Sequence, residues 1–359
     1  MGGVSLLPVS ILPKTRRGRL TLTISVASVL VVAIVIAVVA AVSGKSSAPS
    51  GPGYTSTYKT PDPVVIAPLR GTVVPASQVA GPAISVKVCN VEHCEPEIGL
   101  NQADIVFEEI VEGGITRYVA VWQSDVPDVV GPVRSLRPMD ADIAASFGGI
   151  IAYSGYGAEE THQLALNTGL VNLTENNQNL MYRLTDRVAP YNLALRAKQA
   201  VKDNPGNPPA QQFAYSGGIE SSTAGADGAP ASNINIVFSG SSDNEWNYDV
   251  ASGKYLRWQW GGPDKDSDGK QIASTNVAIM RVDVVQFVGV PRTVMVSSGE
   301  AWVATGGKVV HGKWSKAGTA DPIRFVTDDG VNIRLAPGNT WIEMVPTGGY
   351  AQAGSVAFK

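Results

Sequence analysis

Cysteine and histidine are scarce in this chain: two cysteines and three histidines in 359 residues. A closed zinc site takes four ligands, commonly Cys or His, and Cys89, His93 and Cys94 together fall one short. In an oxidising compartment, two thiols this near in sequence read instead as a disulfide, Cys89 to Cys94, closing a small loop. No cysteine precedes Cys89, which excludes a lipid-modified cysteine near the N-terminus. His162 and His311 have no nucleophile partner in the sequence, so no Ser-His-Asp or Cys-His arrangement can be written. Charge is absent altogether from residues 20–44, while Lys14, Arg16, Arg17 and Arg19 stand just before them.

An uncharged run of that length suits a helix crossing a hydrocarbon layer about 30 Å thick. Basic residues on its N-terminal side stay cytoplasmic, so the expected topology is single-pass, with everything from Lys45 outward on the far side of the cell membrane. A cleaved signal peptide is the alternative, but its apolar core usually spans about 7–15 residues, shorter than this run. Without the four basic residues of the tail, 24 Lys+Arg face 31 Asp+Glu, about −7. An acidic body of this kind lacks the basic face that nucleic acid requires. The expected partners are the lipid bilayer and, beyond it, cell-wall glycan, peptide or a lipid-linked precursor.

The order of segments follows from composition. A basic tail (1–19) and an anchor (20–44) lead to a Ser/Pro/Gly-rich stalk (45–74) with little to bury. Residues 75–203 mix strand and helix signals. Apolar, β-branched runs at 103–111 and 115–123 flank Glu112-Gly113-Gly114, a hairpin signal because glycine supplies positive φ. A short helix is expected near 139–147, a buried strand at 149–153, and a helix carrying Glu159, Glu160 and His162. Residues 204–231 read as a loop or boundary. Strand signals then dominate 232–346, followed by a tail (347–359). The expected fold class is mixed α/β, a layered β/α sandwich, with a smaller β-rich C-terminal unit and one N-terminal transmembrane helix.

Ordered phrases add a resemblance. Ala103-Asp104-Ile105-Val106-Phe107-Glu108, Val111-Glu112-Gly113-Gly114-Ile115-Thr116-Arg117, Gly131-Pro132-Val133-Arg134-Ser135 and Ala189-Pro190-Tyr191-Asn192 lie in the first half. Gly312-Lys313-Trp314 and Leu335-Ala336-Pro337-Gly338-Asn339-Thr340-Trp341 lie in the second. Together they resemble the YerB-like family of bacterial envelope proteins, over about residues 68–346. The resemblance implies an α/β first domain and a β-rich partner, and it implies no chemistry. Members often carry His where this chain has Tyr191, and many carry one near Asp264 or Lys265.

Several residues are candidates for chemistry. Asp104, Glu108 and Glu112 fall at even spacing, which on one strand face sets neighbours roughly 13 Å apart. A Glu108/Glu112 acid pair for glycoside hydrolysis needs about 5–10 Å, so the strand must bend; the alternative is a carboxylate face paired with arginine. Arg134 and Arg137, followed by Asp140 and Asp142, and preceded by Arg117, suit either bidentate capture of a carboxylate or phosphate or internal pairing. Arg183, Arg187 and Asn192 are expected on the same pocket wall. Gly155-Tyr156-Gly157 lacks dinucleotide spacing, and its following glutamates complement a helix dipole. Asp264, Asp266 and Asp268 begin a calcium-loop pattern, but Thr275 stands where the bidentate Glu belongs, and a polar turn is the plainer reading. Trp258 and Trp260 share a strand face, read as core packing, with sugar stacking as the alternative. The expected function is binding or assembly of an envelope component, with a glycan hydrolase or an interaction scaffold as alternatives; no cofactor is expected.

Overall fold

Apolar and β-branched runs build most of the molecule, and the computed structural model describes residues 61–359. Ile105–Ile110 and Thr116–Trp122 pair antiparallel, with Glu109 opposite Arg117. Between them Gly113 and Gly114 hold φ at 74° and 73°, the left-handed conformation that side chains resist. A Cβ on Gly114 meets Ser239 Oγ at 2.8 Å. Gly114→Ala is therefore expected to lower stability by about 1–3 kcal/mol, measured by denaturant unfolding, whereas a loss below the lower figure would mean the turn relaxes freely.

This hairpin sits inside a mixed twelve-stranded sheet. On one side it continues through Ile84–Asn90, Ile150–Ala152 and Val171–Leu173. On the other, Ile105–Ile110 pairs parallel with Thr340–Gly349, which pairs parallel with Asn276–Phe287, and Ser298–Thr305 and Lys308–Ser315 follow. Strands from both halves of the sequence thus share one sheet, and residues Asp62–Lys359 form one unit. A second, six-stranded sheet holds Asn233–Ser239, Ser242–Asp249, Lys254–Gln259 and Ser355–Phe358.

Both faces of the central strands are buried, as central strands with parallel neighbours require. Val86, Val106 and Ala120 pack with Ile234, Ile236, Trp246 and Tyr255 of the six-stranded sheet. Phe107, Val119 and Val121 pack instead against Met139, Ile143 and Phe147, around the short helix Asp140–Ala144. Each buried Val, Ile, Met or Phe side chain among these contributes about 1.5–3 kcal/mol by leaving water. The observed fold is accordingly mixed and sheet-rich, with few and short helices.

Several expectations change. The segment read as stalk through residue 74 carries structure from Val64: Val64–Ile66 pairs with Val73–Pro75, Leu69 is buried, and Arg70 bonds Asp104 at 2.7 Å. Residues 204–231 include the helix Thr223–Asp227, and the expected tail supplies the strand Ser355–Phe358. Lys308–Ser315, with exposed His311 inside it, is a full strand. The expected anchor at 20–44 lies outside the described residues. Among the described residues, no helix is long and apolar enough to cross a membrane.

Candidate functional site

Adjacent residues of a strand point to opposite faces, so the Glu108-Glu109 doublet places one carboxylate on each side of the main sheet. Both are fully buried, and each organises a separate charge cluster. On the side facing the six-stranded sheet, Arg257 Nη2 donates to Glu108 Oε2 at 2.8 Å, and Arg257 Nη1 donates to Asp264 and Gln259. Thr116 Oγ1 and Asn90 Nδ2 also donate to Glu108, at 2.7 and 3.2 Å. The Arg257 guanidinium lies 5.2 Å from the Trp341 ring centre and 5.5 Å from that of Tyr118. Burial opposes its charge, and Glu108, Tyr118, Asp264 and Glu343 more than offset that, so Arg257 stays charged.

The helix-covered side is built differently. Lys87 Nζ donates to Glu109 and, at 2.9 Å, to Asp140 Oδ1, while Asp140 Oδ2 accepts from the Arg137 backbone N–H at 2.7 Å. Burial and the charge of Asp140 raise the Glu109 pKa well above the ordinary range, with Lys87 pulling the other way. Beyond this triad stand Arg117, Arg134 and Arg137. Arg137 Nε pairs with Glu112 Oε2 at 2.7 Å; burial works against the charge, yet this contact holds Glu112 below the usual carboxylate range. Arg117 is 8% exposed, and its one side-chain hydrogen bond among the described residues is a 3.4 Å contact to the Ser135 carbonyl. Burial, then the charges of Arg137 and Arg134, push its pKa down to about 10. Arg134 Nη1 donates to the Pro190 carbonyl at 3.2 Å and its guanidinium sits 5.1 Å from the Tyr191 ring, but its buried Nε has no partner. Among the described residues Arg134 has no carboxylate partner, Arg117 only feels the charges of Glu112 and Asp140, and Arg137 alone is ion-paired, with Glu112. That carboxylate also lines a cavity of about 530 Å³ with Gly113, Ser239, Pro291 and Tyr350.

The structure brings Arg117, Arg134 and Arg137 together, with Asp140 beneath them. It does not bring Glu108 and Glu112 together as an acid pair. The strand ends at Ile110, the glycine turn carries Glu112 away, and Asp104, Glu108 and Glu112 each meet a different arginine: Arg70, Arg257 and Arg137. Arg187 and Asn192 serve the neighbouring loop. Arg187 donates to the carbonyls of Cys94 and Pro96 at 2.6 and 2.5 Å, and Asn192 accepts from Arg183 while donating to Leu184. Cys89 and Cys94 are disulfide-bonded, their Cα atoms 6.0 Å apart.

The three aspartates of the calcium-like stretch do not converge. Asp264 faces Arg257, Asp266 accepts from the backbone N–H of Gly99 and Asn101, and exposed Asp268 pairs with Lys270. Trp258 and Trp260 are 39% and 42% exposed, so the core reading fails for them, although Trp246, Trp314 and Trp341 are buried. The strand Lys254–Gln259 instead turns Tyr255, Arg257 and Gln259 inward. Arg257, Lys87, Glu109 and Glu343 went unrecognised in the sequence. Two adjacent acids inside an otherwise apolar strand were the available signal, since one of them must face each layer.

Fold and site together define a sheet-rich protein with buried charge clusters on both faces of its main sheet. The chain belongs to the DUF3048 family: models described as the N-terminal and C-terminal domains of a protein of unknown function match residues 69–208 and 234–342. It is 28% identical over 294 residues to a Bacillus subtilis (strain 168) protein named "Putative lipoprotein YerB", covering 78% of this chain and 86% of that one. The crystal structure of the YerB protein from Bacillus subtilis shares the fold, with a TM-score of 0.69 at 24% identity over 82% of this chain and 99% of that one.

Proposed function

We propose that this protein binds an anionic group of a cell-envelope molecule at the cluster of Arg117, Arg134 and Arg137, on the outer side of the cell membrane. The observation that carries the reading is Arg117: a residue only 8% exposed, with one long side-chain hydrogen bond and two like charges beside its guanidinium. Buried polar groups are ordinarily satisfied, and a charge in this state is costly unless an anion answers it. Guanidinium forks match the two oxygens of a carboxylate or phosphate, the groups that peptide stems and lipid-linked precursors present. The outward location rests on the basic tail before the uncharged run, on the disulfide, which persists in oxidising compartments, and on the lipoprotein name of the Bacillus subtilis relative. In this reading the uncharged segment at 20–44 is the membrane attachment.

Calorimetric titration with inorganic phosphate, muropeptides and polyprenyl phosphate tests the proposal. At least one of these is expected to bind, and Arg117→Met to weaken it by at least tenfold, the loss of one charge-assisted bond of about 1.5–3 kcal/mol. Arg117→Met also removes a like-charge repulsion, so its melting temperature is expected to stay near wild type. Equal affinity in a folded Arg117→Met variant, or binding of none of the three, would overturn the reading.

A further inference from the structure

Across the sheet from the arginines, a second group of side chains has no role in that binding. Glu95, Glu97 and Asp264 each direct a carboxylate oxygen to within 4.8 Å of the others. Glu97 is 1% exposed, and neither of its oxygens has a hydrogen-bond partner. Asp264 is 3% exposed; one oxygen is taken by Arg257 and the other has no partner. Glu95 is half-buried and stands at the rim. Three unanswered oxygens on nearly sealed carboxylates are far outside the ordinary accounting of buried polar atoms.

The surrounding backbone holds the two contributing segments in place. Ser267 N–H donates to the Glu97 carbonyl at 2.8 Å, and the Asp266 carboxylate accepts from Gly99 and Asn101 at 2.9 and 2.8 Å. Arg187 grips the Cys94 and Pro96 carbonyls on either side of Glu95. The carboxylates are therefore preset, with no side-chain hydrogen bond holding Glu97 turned elsewhere. Arg257 is the cation paired with Asp264, and Glu108 already shares its charge.

We infer that Glu95, Glu97 and Asp264 form a binding site for a hard divalent cation, calcium by preference. The donors are all oxygen, which suits Ca²⁺, Mg²⁺ or Mn²⁺ and not the nitrogen and sulfur preference of zinc. With one Asp264 oxygen held by Arg257, the three carboxylates offer up to five oxygens, and Ca²⁺ accepts them in flexible arrangements at about 2.3–2.6 Å, whereas Mg²⁺ demands a tighter octahedron and keeps its waters. Without a cation, burial and then the charge of Asp264 push the Glu95 pKa up to about 7, and burial raises Glu97 and Asp264 as well. The site is independent of the anion-binding proposal, because its residues lie on the other charge cluster.

The test uses the full chain in detergent, stripped with EDTA and titrated with CaCl₂, MgCl₂, MnCl₂ and ZnCl₂ by calorimetry and thermal melting. One Ca²⁺ per chain is expected, with a raised melting temperature and weaker binding of Mg²⁺. Glu97→Gln leaves the shape and removes a carboxylate ligand, so it is expected to fold at least as stably as wild type without metal while binding Ca²⁺ at least a hundredfold more weakly. Glu95→Gln, at the rim, is the second variant and is expected to lose about tenfold. No Ca²⁺ binding at millimolar concentration, a response to Zn²⁺ alone, or wild-type affinity in Glu97→Gln would overturn the site.

Discussion

Arg257→Met is expected to lower stability by about 3–5 kcal/mol, a fall in melting temperature on the order of 10 °C. Arg257 is fully buried and is the counter-charge of both Glu108 and Asp264. Taking one partner out of a buried ion pair leaves the other charge with neither water nor a cation, which is why the loss exceeds that for replacing the whole pair. Arg257→Lys keeps the charge but not the fork, since one ammonium cannot satisfy Glu108, Asp264 and Gln259 in their separate directions; an intermediate loss is expected. The triple change Arg257→Met, Glu108→Gln, Asp264→Asn is expected to recover much of the deficit. Denaturant unfolding of the set decides the matter: a single Arg257→Met that loses under about 1 kcal/mol would mean the carboxylates take up protons at little cost.

The second large effect concerns Glu343. It lies directly across the parallel strand pair from Glu108, fully buried, with Trp246 Nε1 donating to Oε1 at 2.6 Å and no partner on Oε2. Burial and then the Glu108 charge raise its pKa well above the ordinary 4.5, with Arg257 and Trp246 pulling it down less strongly. A carboxyl whose folded pKa is raised contributes fully below its unfolded pKa. That contribution is lost as pH climbs from there toward the folded pKa, because the unfolded chain releases the proton and the folded chain keeps it. Across that window the wild type loses about 1.4 kcal/mol per pH unit from this one group, and Glu343→Gln loses nothing. Unfolding free energies at pH 5, 6 and 7 are therefore expected to diverge in favour of Glu343→Gln as pH rises. Parallel curves would show that Glu343 ionises alike in both states.

Both expectations rest on residues that the one-dimensional pattern passed over, and the reason is geometric. In the strand Lys254–Gln259, aromatic and aliphatic residues occupy both parities, so alternation alone does not say which set faces inward. The packing of the six-stranded sheet buried Arg257 and Gln259 and left Trp258 exposed. Glu343 sits in a run that looks uniformly apolar from Trp341 to Val345, and its register against Glu108 exists only once a strand from the end of the chain slots beside one from its first third. Glu95 and Glu97 flank a proline with no pattern that marks them, and their meeting with Asp264 joins segments about 170 positions apart.

Local chemistry was legible where a local cause sufficed. The Gly113-Gly114 turn, the two strands it joins, the Cys89–Cys94 loop and the helix carrying Glu159 and Glu160 all follow from propensity, positive φ or short spacing. So did the family, from phrases spread over both halves. Which arginine answers which carboxylate was not legible, because that choice depends on strand order in the sheet. Asp104, Glu108 and Glu112, evenly spaced in sequence, were parted by the end of one strand and claimed by arginines from three distant segments. Charge pairing is set by proximity in space, and only the folded sheet supplies it.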